Sequence, residues 1–325
     1  KTVNLKESEV IQIAGECGFS VNKAEALKLE ASGRQYHRVQ LDSGETKVLC
    51  YLNPDKGTHT KFLHISNFLS TLGIRSPKVI FSNDSLGITI QEDLGDISLI
   101  DIDTSLIKHH VLIHKSLSLL SQLQTANIPQ IPKLDQDSLH DQMNQLSSIF
   151  LKDFLSLEPH PDLFKLQKEA VEKLLDQPWM NCHFDFERRN LILDTNNKVA
   201  VIDHQDLCIG PVGIDLAGLL IDHYIKYSDE MISESLNNYS NYMSLDLGSK
   251  DIYEWVRWGA IQRNMRILGT LSRIYLEHER SFRLKDLSMI LDNLIELIPE
   301  NNYESLKQFL SRDVRSQLSI KMTQI

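Results

Sequence analysis

Apolar and polar residues follow two different periods along the chain, and the change between them divides it into two parts. Up to about residue 95, short apolar runs with strand character are separated by turns such as Asp42-Ser43-Gly44. Beyond that point, apolar residues recur every three or four positions over long segments, which is typical of amphipathic helices. We therefore predict two domains, residues 1–95 and residues 96–325, with an α+β fold in which a small sheet part precedes a large helical part.

The first part is predicted to form one antiparallel sheet with a helix inserted between its strands. A helix over 5–17 comes first, and the order that follows is β-β-β-α-β-β. The predicted strands are 26–31, 36–41, 47–52, 78–82 and 87–92, and the inserted helix is 58–72. The helices predicted for the second part are 104–126, 138–156, 162–176, 214–227, 230–242, 251–277, 284–297 and 303–318.

A polar stretch at 181–206, called here the central stretch, interrupts the helical part. His183, Asp185 and Asn190 follow the spacing H-x-D-x-x-x-x-N, and the apolar run 199–202 then leads to Asp203. Two short buried strands joined by a tight turn would hold these polar side chains at one end of a small sheet. Phosphoryl transfer needs such a set, namely a carboxylate that orients the attacking hydroxyl and oxygen ligands that hold Mg²⁺ on the triphosphate.

Each residue of the central stretch also has a purely structural interpretation. Asp185 is the predicted general base, although a carboxylate at this spacing could also be a loop or cap residue. Asn190 and Asp203 are the predicted Mg²⁺ ligands, since this hard cation prefers oxygen, although both residue types commonly form turns. Their joint position in one predicted hairpin favours catalysis. His183 is predicted to bond the loop backbone.

Neighbouring residues allow two interpretations each. Arg188 and Arg189 could contact phosphates or form surface ion pairs. Asp215 could cap the helix that follows it, or accept backbone N–H groups of the central stretch. The segment Ser32-Gly33-Arg34 joins two predicted strands, where its amides could approach phosphates, but a bare hairpin turn would look the same.

Two groups of side chains raise the alternative of a transition-metal site. The first group is Cys182, His183, His204 and Cys208. Their spacing fits no ordinary closed zinc site, and alternate residues of a strand point to opposite faces. The second group is His109, His110 and His114, which includes an i, i+4 pair on a predicted helix. Solvated histidines are far commoner than ligands in such a position.

Composition narrows the class of partner. The net charge of −10 over 325 residues argues against a nucleic-acid surface, because phosphate binding relies on clustered Lys and Arg. No apolar run approaches the length of a membrane span, and no signal peptide is visible in a chain that begins at Lys1. Four scattered cysteines predict reduced thiols and a cytoplasmic setting. A polar small molecule is the expected substrate, and nothing in the sequence predicts an oligomeric state.

Several segments carry a resemblance to a known family. They are Val201-Ile-Asp203-His-Gln-Asp206, Gly210-Pro-Val, residues 215–222, Gln262-Arg-Asn-Met-Arg-Ile-Leu-Gly269 and Arg273-Ile-Tyr. With these segments the chain resembles, over nearly its whole length, the aminoglycoside phosphotransferase superfamily, relatives of protein kinases that phosphorylate small molecules. Within it, the chain is most similar to the cell-wall recycling kinases that phosphorylate N-acetylmuramate and N-acetylglucosamine at the anomeric hydroxyl.

The resemblance implies a protein-kinase-like fold of two lobes, in which 1–95 binds the nucleotide and 96–325 carries catalysis and the amino sugar. It implies ATP and Mg²⁺ as cofactors, Asp185 as the base, and Asn190 and Asp203 as the Mg²⁺ ligands. The residues it assigns to the nucleotide are Ser32, Gly33 and Arg34 as a shortened phosphate loop, and Glu92 to Leu94 as a hinge that holds adenine.

The chain departs from the protein-kinase pattern in three places. The strand 47–52 has no central lysine for the phosphates, and the helix 58–72 has no glutamate to pair with one. The sugar-kinase relatives lack that lysine as well, and Lys47, Arg34 or Lys56 could replace it. The third departure is His183-Phe-Asp185 in place of H-R-D. Two alternatives therefore stay open: an aminoglycoside, choline or homoserine kinase of the same fold, and a nucleotide-binding pseudokinase that serves as a binding module.

Overall fold

The computed structural model describes residues 4–29, 33–103, 105–281 and 283–325 of the chain. These form two compact units. The first comprises Lys1–Asp103 and Arg188–Asp206, and the second comprises Thr104–Glu187 and Leu207–Ile325. The chain thus returns to the first unit for most of the central stretch. The predicted functional division between residues 95 and 96 stays a prediction.

Strands and helices follow one another in the predicted order, with two additional strands. The strands are β1 Val21–Leu29, β2 Gln35–Leu41, β3 Thr46–Tyr51, β4 Val79–Asn83, β5 Ile88–Glu92, β6 Trp179–Cys182, β7 Leu191–Leu193, β8 Val199–Val201 and β9 Cys208–Pro211. The α-helices are α1 Glu7–Glu16, α2 Thr60–Thr71, α3 Leu106–Thr125, α4 Gln136–Gln145, α5 Pro161–Leu175, α6 Val212–Leu220, α7 Asp229–Tyr242, α8 Ser249–His278, α9 Leu287–Leu297, α10 Glu304–Gln308 and α11 Arg315–Thr323.

The first unit contains a five-stranded antiparallel sheet in the order β1-β2-β3-β5-β4. Helix α1 packs on it through Val10 and Ala14, which share a buried core with residues of the sheet. Strand β1 begins at Val21 and not at the predicted residue 26, because the pairing register shifts between Val21 and Lys23 and so breaks the apolar alternation. The predicted antiparallel sheet is confirmed.

A second hairpin of the first unit is formed by β7 and β8, with Leu191 opposite Val201. It corresponds to the hairpin predicted in the central stretch. Residues 97–99 run beside β7, since Leu193 donates its N–H to the Ile97 carbonyl and Leu99 donates to the Leu191 carbonyl. The hairpin is therefore held on both edges of β7.

The second unit is built around α8, a helix of 30 residues. Helix α6 lies directly on its backbone: a Cβ on Gly213 would lie 2.0 Å from the Trp255 carbonyl oxygen, and one on Gly259 would lie 2.2 Å from the Gly213 oxygen. No side chain larger than hydrogen fits at either position without moving a backbone. This close approach fixes α6, and with it Asp215, relative to α8.

Three predicted helices differ from the observed ones. The segment predicted at 138–156 is α4 followed by a π-helical segment, Leu146–Phe154, and that predicted at 303–318 is α10, a π-helical segment Phe309–Val314, and α11. Apolar spacing does not separate these forms. The helix predicted to reach residue 227 ends at Leu220, because the Asp222 carboxylate accepts the N–H groups of Tyr224 and Ile225 and so offers a turn instead. Within the described ranges, no helix has the length and apolar character to span a membrane.

Candidate active site

The beginning of the central stretch is held in the second unit by a two-stranded ribbon that the sequence did not predict. Strand β6 pairs with β9, so that Cys182 lies opposite Cys208. The Asn181 side chain, which is buried, donates to the carbonyl oxygens of Leu123 at 2.9 Å and Ala126 at 2.6 Å, at the end of α3. These bonds place the loop 183–187 at a defined position on the helices.

Asp215 ties down the first residues of that loop. Its carboxylate, 1% exposed, accepts the N–H of His183 at 2.7 Å and the N–H of Phe184 at 2.9 Å. Burial raises the pKa of Asp215, while its hydrogen bonds and the His183 ring oppose that rise. Phe184 has a φ of 83°, a conformation that a bulky side chain rarely adopts, so the two bonds stabilise a strained residue. The second interpretation of Asp215 given above is confirmed.

Asp185 follows in the same loop, with its side chain 44% exposed. Its N–H donates to Nδ1 of the buried His183 at 3.2 Å, which confirms the scaffolding role predicted for that histidine. Arg266 of α8 stacks on the Phe184 ring at 4.1 Å and donates to the Phe184 carbonyl oxygen at 3.2 Å. One of its nitrogens also lies 3.6 Å from Asp185 Oδ1. An accessible carboxylate is thereby fixed beside a cation.

A second arginine of α8 supports the end of the loop. Arg263, 2% exposed, forms a close ion pair with Glu187. Its Nη1 lies 3.3 Å from Nε2 of His223, which in turn lies 2.9 Å from Oδ1 of Asn264. Burial, reinforced by the Arg263 charge, lowers the pKa of His223 to about 4, so this ring is neutral at pH 7. No role was predicted for Arg263 or Arg266; two arginines three positions apart, flanked by apolar residues of α8, are the signal that could have found them.

Asn190 and Asp203 lie together in the first unit. Asn190 directly precedes β7 and Asp203 follows β8, and the N–H of Ile202 donates to the Asn190 carbonyl oxygen at 3.0 Å. The two residues therefore lie at the same end of the hairpin. Asp203 has a φ of 60°, which Asp tolerates better than most residues, and its Oδ1 accepts a short hydrogen bond from Gln205.

Helix α2 supports the segment that carries Asp203. The ring of His204, buried in the first unit, stacks on Phe62 at 4.8 Å with 16° between the planes. Its Nε2 lies 2.7 Å from Ser66 Oγ. Where a protein kinase uses a glutamate of the corresponding helix to bind a lysine, this helix instead contacts the residue next to Asp203.

Arg75 links the predicted hinge to the hairpin. It binds both carboxylate oxygens of Glu92, at 2.8 and 3.1 Å, and its Nε donates to Asp194 at 3.1 Å. Burial would raise the pKa of Glu92, but the hydrogen bonds from Arg75 and from the Lys78 N–H, together with the charges of both residues, outweigh it and hold that pKa below its ordinary value. Leu94 packs with Ile192 and Ala200 of the hairpin in a small apolar cluster. The Glu92 side chain thus has a structural role, and its N–H is donated to the Lys78 carbonyl oxygen at 2.8 Å, so the predicted adenine contact falls to other backbone groups of Glu92 to Leu94.

Comparison with known proteins identifies the family. A family model described as "Phosphotransferase enzyme family" matches residues 23–249, more than half of the chain. The chain belongs to this phosphotransferase family. Two similar curated proteins are both named N-acetylmuramate/N-acetylglucosamine kinase. The one from Neisseria meningitidis is 25% identical over 262 residues, covering 76% of this chain and 77% of the relative. The one from Pseudomonas aeruginosa is 23% identical over 255 residues, covering 75% of each.

Solved structures establish the fold of this phosphotransferase. Choline kinase LicA from Streptococcus pneumoniae is 13% identical, with a TM-score of 0.62 over 88% of this chain and 98% of the neighbour. Spectinomycin phosphotransferase APH(9)-Ia, solved with ADP and spectinomycin, is also 13% identical, with a TM-score of 0.60 over 95% and 99%. The predicted protein-kinase-like fold and the predicted superfamily are confirmed.

The predicted phosphate loop of the phosphotransferase lies between β1 and β2. Ser32 lies outside the described residues. Gly33 has a φ of 79°, which suits a tight turn, and Arg34 follows it with a buried Nε that finds no acceptor among the described residues. Lys47, another candidate for the missing lysine, lies opposite Glu92 in the sheet and binds the Glu45 carboxylate at 2.6 Å. Arg34 is therefore the better placed of these two cations to accept a new partner.

The alternative of a transition-metal site formed by Cys182, His183, His204 and Cys208 is not supported. The Cys208 thiol lies 3.7 Å from the Cys182 carbonyl oxygen, and its hydrogen bond together with burial raises the pKa of Cys182 well above its ordinary value. Throughout the described ranges, the only cluster of three potential metal-binding side chains is His110, His114 and Glu234. Arg188 is buried and donates to the Leu99 carbonyl oxygen at 3.0 Å, which makes it a structural residue of the first unit.

Proposed function

We propose that this phosphotransferase is a kinase that transfers the γ-phosphoryl group of ATP, with Mg²⁺, to the anomeric hydroxyl of N-acetylmuramate or N-acetylglucosamine. The observation that carries this proposal is the similarity to kinases named for these two sugars, which extends over three quarters of both chains. The role in this proposal is to return amino sugars recovered from the cell wall to synthesis as 1-phosphates, in the cytoplasm.

Asp185 is the proposed general base. Its half-exposed carboxylate can be reached by a hydroxyl, and its backbone is fixed through His183 and the bonds of Asp215. In the proposed reaction this carboxylate accepts a hydrogen bond from the anomeric hydroxyl and takes its proton late in the transfer. A hemiacetal hydroxyl is more acidic than an ordinary alcohol, so a carboxylate is a sufficient base. Arg266 keeps the loop in place by its contacts with Phe184.

Asn190 and Asp203 are the proposed metal ligands. A carboxamide oxygen and a carboxylate are donors that Mg²⁺ prefers, both residues lie at one end of the hairpin, and so few protein ligands leave room for water and phosphate oxygens. Gln205, which donates to Asp203, would hold that carboxylate in one orientation. Bound Mg²⁺ would neutralise charge on the β- and γ-phosphates of ATP.

The nucleotide is proposed to lie against the sheet of the first unit. The backbone of Glu92 to Leu94 would hold adenine, next to the buried apolar cluster of Leu94, Ile192 and Ala200. The turn at Gly33 and the guanidinium of Arg34 would contact the phosphates, with Arg34 in the role that a lysine of β3 has in protein kinases.

An ADP-release assay with Mg-ATP tests the proposal. The panel contains N-acetylmuramate, N-acetylglucosamine, the methyl glycoside of each, kanamycin and choline. We expect phosphorylation of the two free sugars and none of the glycosides, which are matched controls because they differ only in the blocked anomeric oxygen. Turnover of the glycosides would disprove anomeric transfer, and turnover of kanamycin or choline alone would assign a different acceptor. Binding of ATP without turnover of any compound would indicate a pseudokinase.

A further inference from the structure

Two helices of the second unit bring four potential ligand side chains together on one surface. His110 and His114 lie one turn apart on α3, and Glu234 and Asn238 lie one turn apart on α7. Nε2 of His110 is 3.0 Å from Oε2 of Glu234, and Nε2 of His114 is 2.9 Å from Nδ2 of Asn238. The two histidine rings are 4.3 Å apart. Each histidine therefore faces a polar residue of the opposite helix, and the cluster bridges the helices.

We propose that His110, His114 and Glu234 form a binding site for a divalent transition-metal ion of the zinc type. Two imidazoles and one carboxylate are a ligand set found in zinc sites that keep a fourth position for water. Residues at i and i+4 on a helix point to the same side, so the backbone of α3 holds the two imidazoles in place before an ion binds. Nitrogen ligands favour Zn²⁺, Co²⁺, Ni²⁺ and Cu²⁺ over Mg²⁺, so this site selects a different class of ion from Asn190 and Asp203.

Only small side-chain movements separate the observed distances between the ligand atoms from those of a coordinated metal ion. The potential donor atoms of His110, His114 and Glu234 all lie within 4.8 Å of one another. Tetrahedral coordination with bonds near 2.0–2.1 Å would place ligand atoms roughly 3.4 Å apart. The Glu234 side chain is 57% exposed and His110 is 34% exposed, so both can rotate without displacing packed neighbours.

The surroundings also favour neutral imidazole at His114. Burial, and then the nearby His110, lower the pKa of His114, which favours the neutral form of the ring that a metal ion requires. The Asn238 carboxamide borders the cluster at 2.9 Å and 3.5 Å from the two ring nitrogens of His114. It can hold that ring in one orientation, as groups around a metal site commonly do.

Titration with Co²⁺ tests the site, because low-coordinate Co²⁺ with nitrogen ligands gives visible absorption bands that free aqueous Co²⁺ lacks. The protein is first stripped with a chelator and titrated in the absence of nucleotide. We expect one equivalent of Co²⁺ to produce the bands and Zn²⁺ to displace it. His114→Ala should weaken binding by about tenfold or more, and Glu234→Gln, which preserves size, should weaken it as well. His278→Ala is the matched control, because His278 is a surface histidine beside Glu277 that belongs to no cluster of three potential metal-binding side chains among the described residues.

A second measurement distinguishes this site from the kinase centre and from damage to the fold. Zn²⁺ should raise the thermal unfolding midpoint of the wild type but not of His114→Ala, since an ion bound only to the folded state stabilises it. Asp203→Asn should retain both the cobalt bands and the zinc-induced shift. Bands that persist in His114→Ala and Glu234→Gln, bands lost in Asp203→Asn, or no bands in the wild type would each disprove the proposal. None of these results depends on which sugar the enzyme phosphorylates.

Discussion

Replacing Asp215 with asparagine should lower the catalytic rate strongly while lowering the free energy of unfolding only a little. The carboxylate accepts the N–H groups of His183 and Phe184, whereas asparagine offers one oxygen and turns its NH₂ towards the other donor. Loss of one charge-assisted hydrogen bond costs about 1.5–3 kcal/mol. That is comparable with the strain of about 1–3 kcal/mol stored in a residue with the backbone conformation of Phe184. The loop that carries Asp185 should therefore leave its active conformation in most molecules.

Converted to a rate, this loss predicts a decrease in kcat of about 10- to 100-fold. The free energy of unfolding should fall by less, because the substitution also removes a buried charge whose desolvation is unfavourable, as the raised pKa of Asp215 indicates. The assay combines steady-state ADP release, which separates kcat from KM for ATP, with thermal unfolding followed by circular dichroism. KM for ATP should change little, since Asp215 belongs to the second unit and the proposed nucleotide contacts belong to the first.

Asp222→Asn is the matched control. Asp222 is also a buried carboxylate that accepts two backbone N–H groups, those of Tyr224 and Ile225, but it does so with the single atom Oδ1, which asparagine retains. Its variant should keep the wild-type kcat. If Asp215→Asn folded and kept the wild-type kcat, or if its kcat fell only in proportion to unfolded protein, the proposed positioning of the loop would be refuted.

Three further predictions test other parts of the molecule. Asp185→Asn should lower kcat by about 10²–10⁴-fold with nearly unchanged ATP affinity; steady-state kinetics and nucleotide binding measure both, and a small change in kcat would contradict its role as base. Arg34→Ala should raise KM for ATP by about tenfold, whereas the exposed Lys56→Ala should not; equal effects in both variants would remove Arg34 from the phosphate site. The pKa of His223 is lowered from 6.5 to about 4, so between these pH values the folded protein binds fewer protons than the unfolded chain. The free energy of unfolding should therefore rise by up to about 3 kcal/mol as the pH increases from 4 to 6.5, and this gain should be lost as the pH falls. Denaturant unfolding at pH 4 to 7 should show this slope, and His223→Gln should reduce it; an unchanged slope would place the titration elsewhere.

Local sequence signals were sufficient to predict most of the fold. The β-β-β-α-β-β order came from short apolar runs between glycine-containing turns, and the hairpin at Asn190 and Asp203 came from two apolar runs around a polar turn. Boundaries were missed where a local bond competes with the periodic pattern. The Asp222 carboxylate ends α6 early in this way, and a register shift hides the start of β1.

The contacts that hold the candidate site in place could not be predicted from local sequence signals, because they join residues far apart in the sequence. Arg266 contacts Phe184 across 82 positions, and Arg75 contacts Asp194 across 119. Strands β6 and β9 are only four residues long, so pairing rather than propensity decides that they form. The cluster of His110, His114 and Glu234 likewise depends on the packing of α3 against α7, which the histidine spacing alone could not reveal.

What the sequence by itself determined was membership of the phosphotransferase family, and its central stretch supplied the prediction of a carboxylate, a carboxamide and a second carboxylate for phosphoryl transfer. Only the tertiary structure decided how those groups are held. The loop with Asp185 depends on Asp215 and α8 in one unit, and the hairpin with Asn190 and Asp203 depends on α2 and Arg75 in the other. Side-chain type sets which bonds a residue can make, but the fold decides which partners are within reach and which groups lose their water.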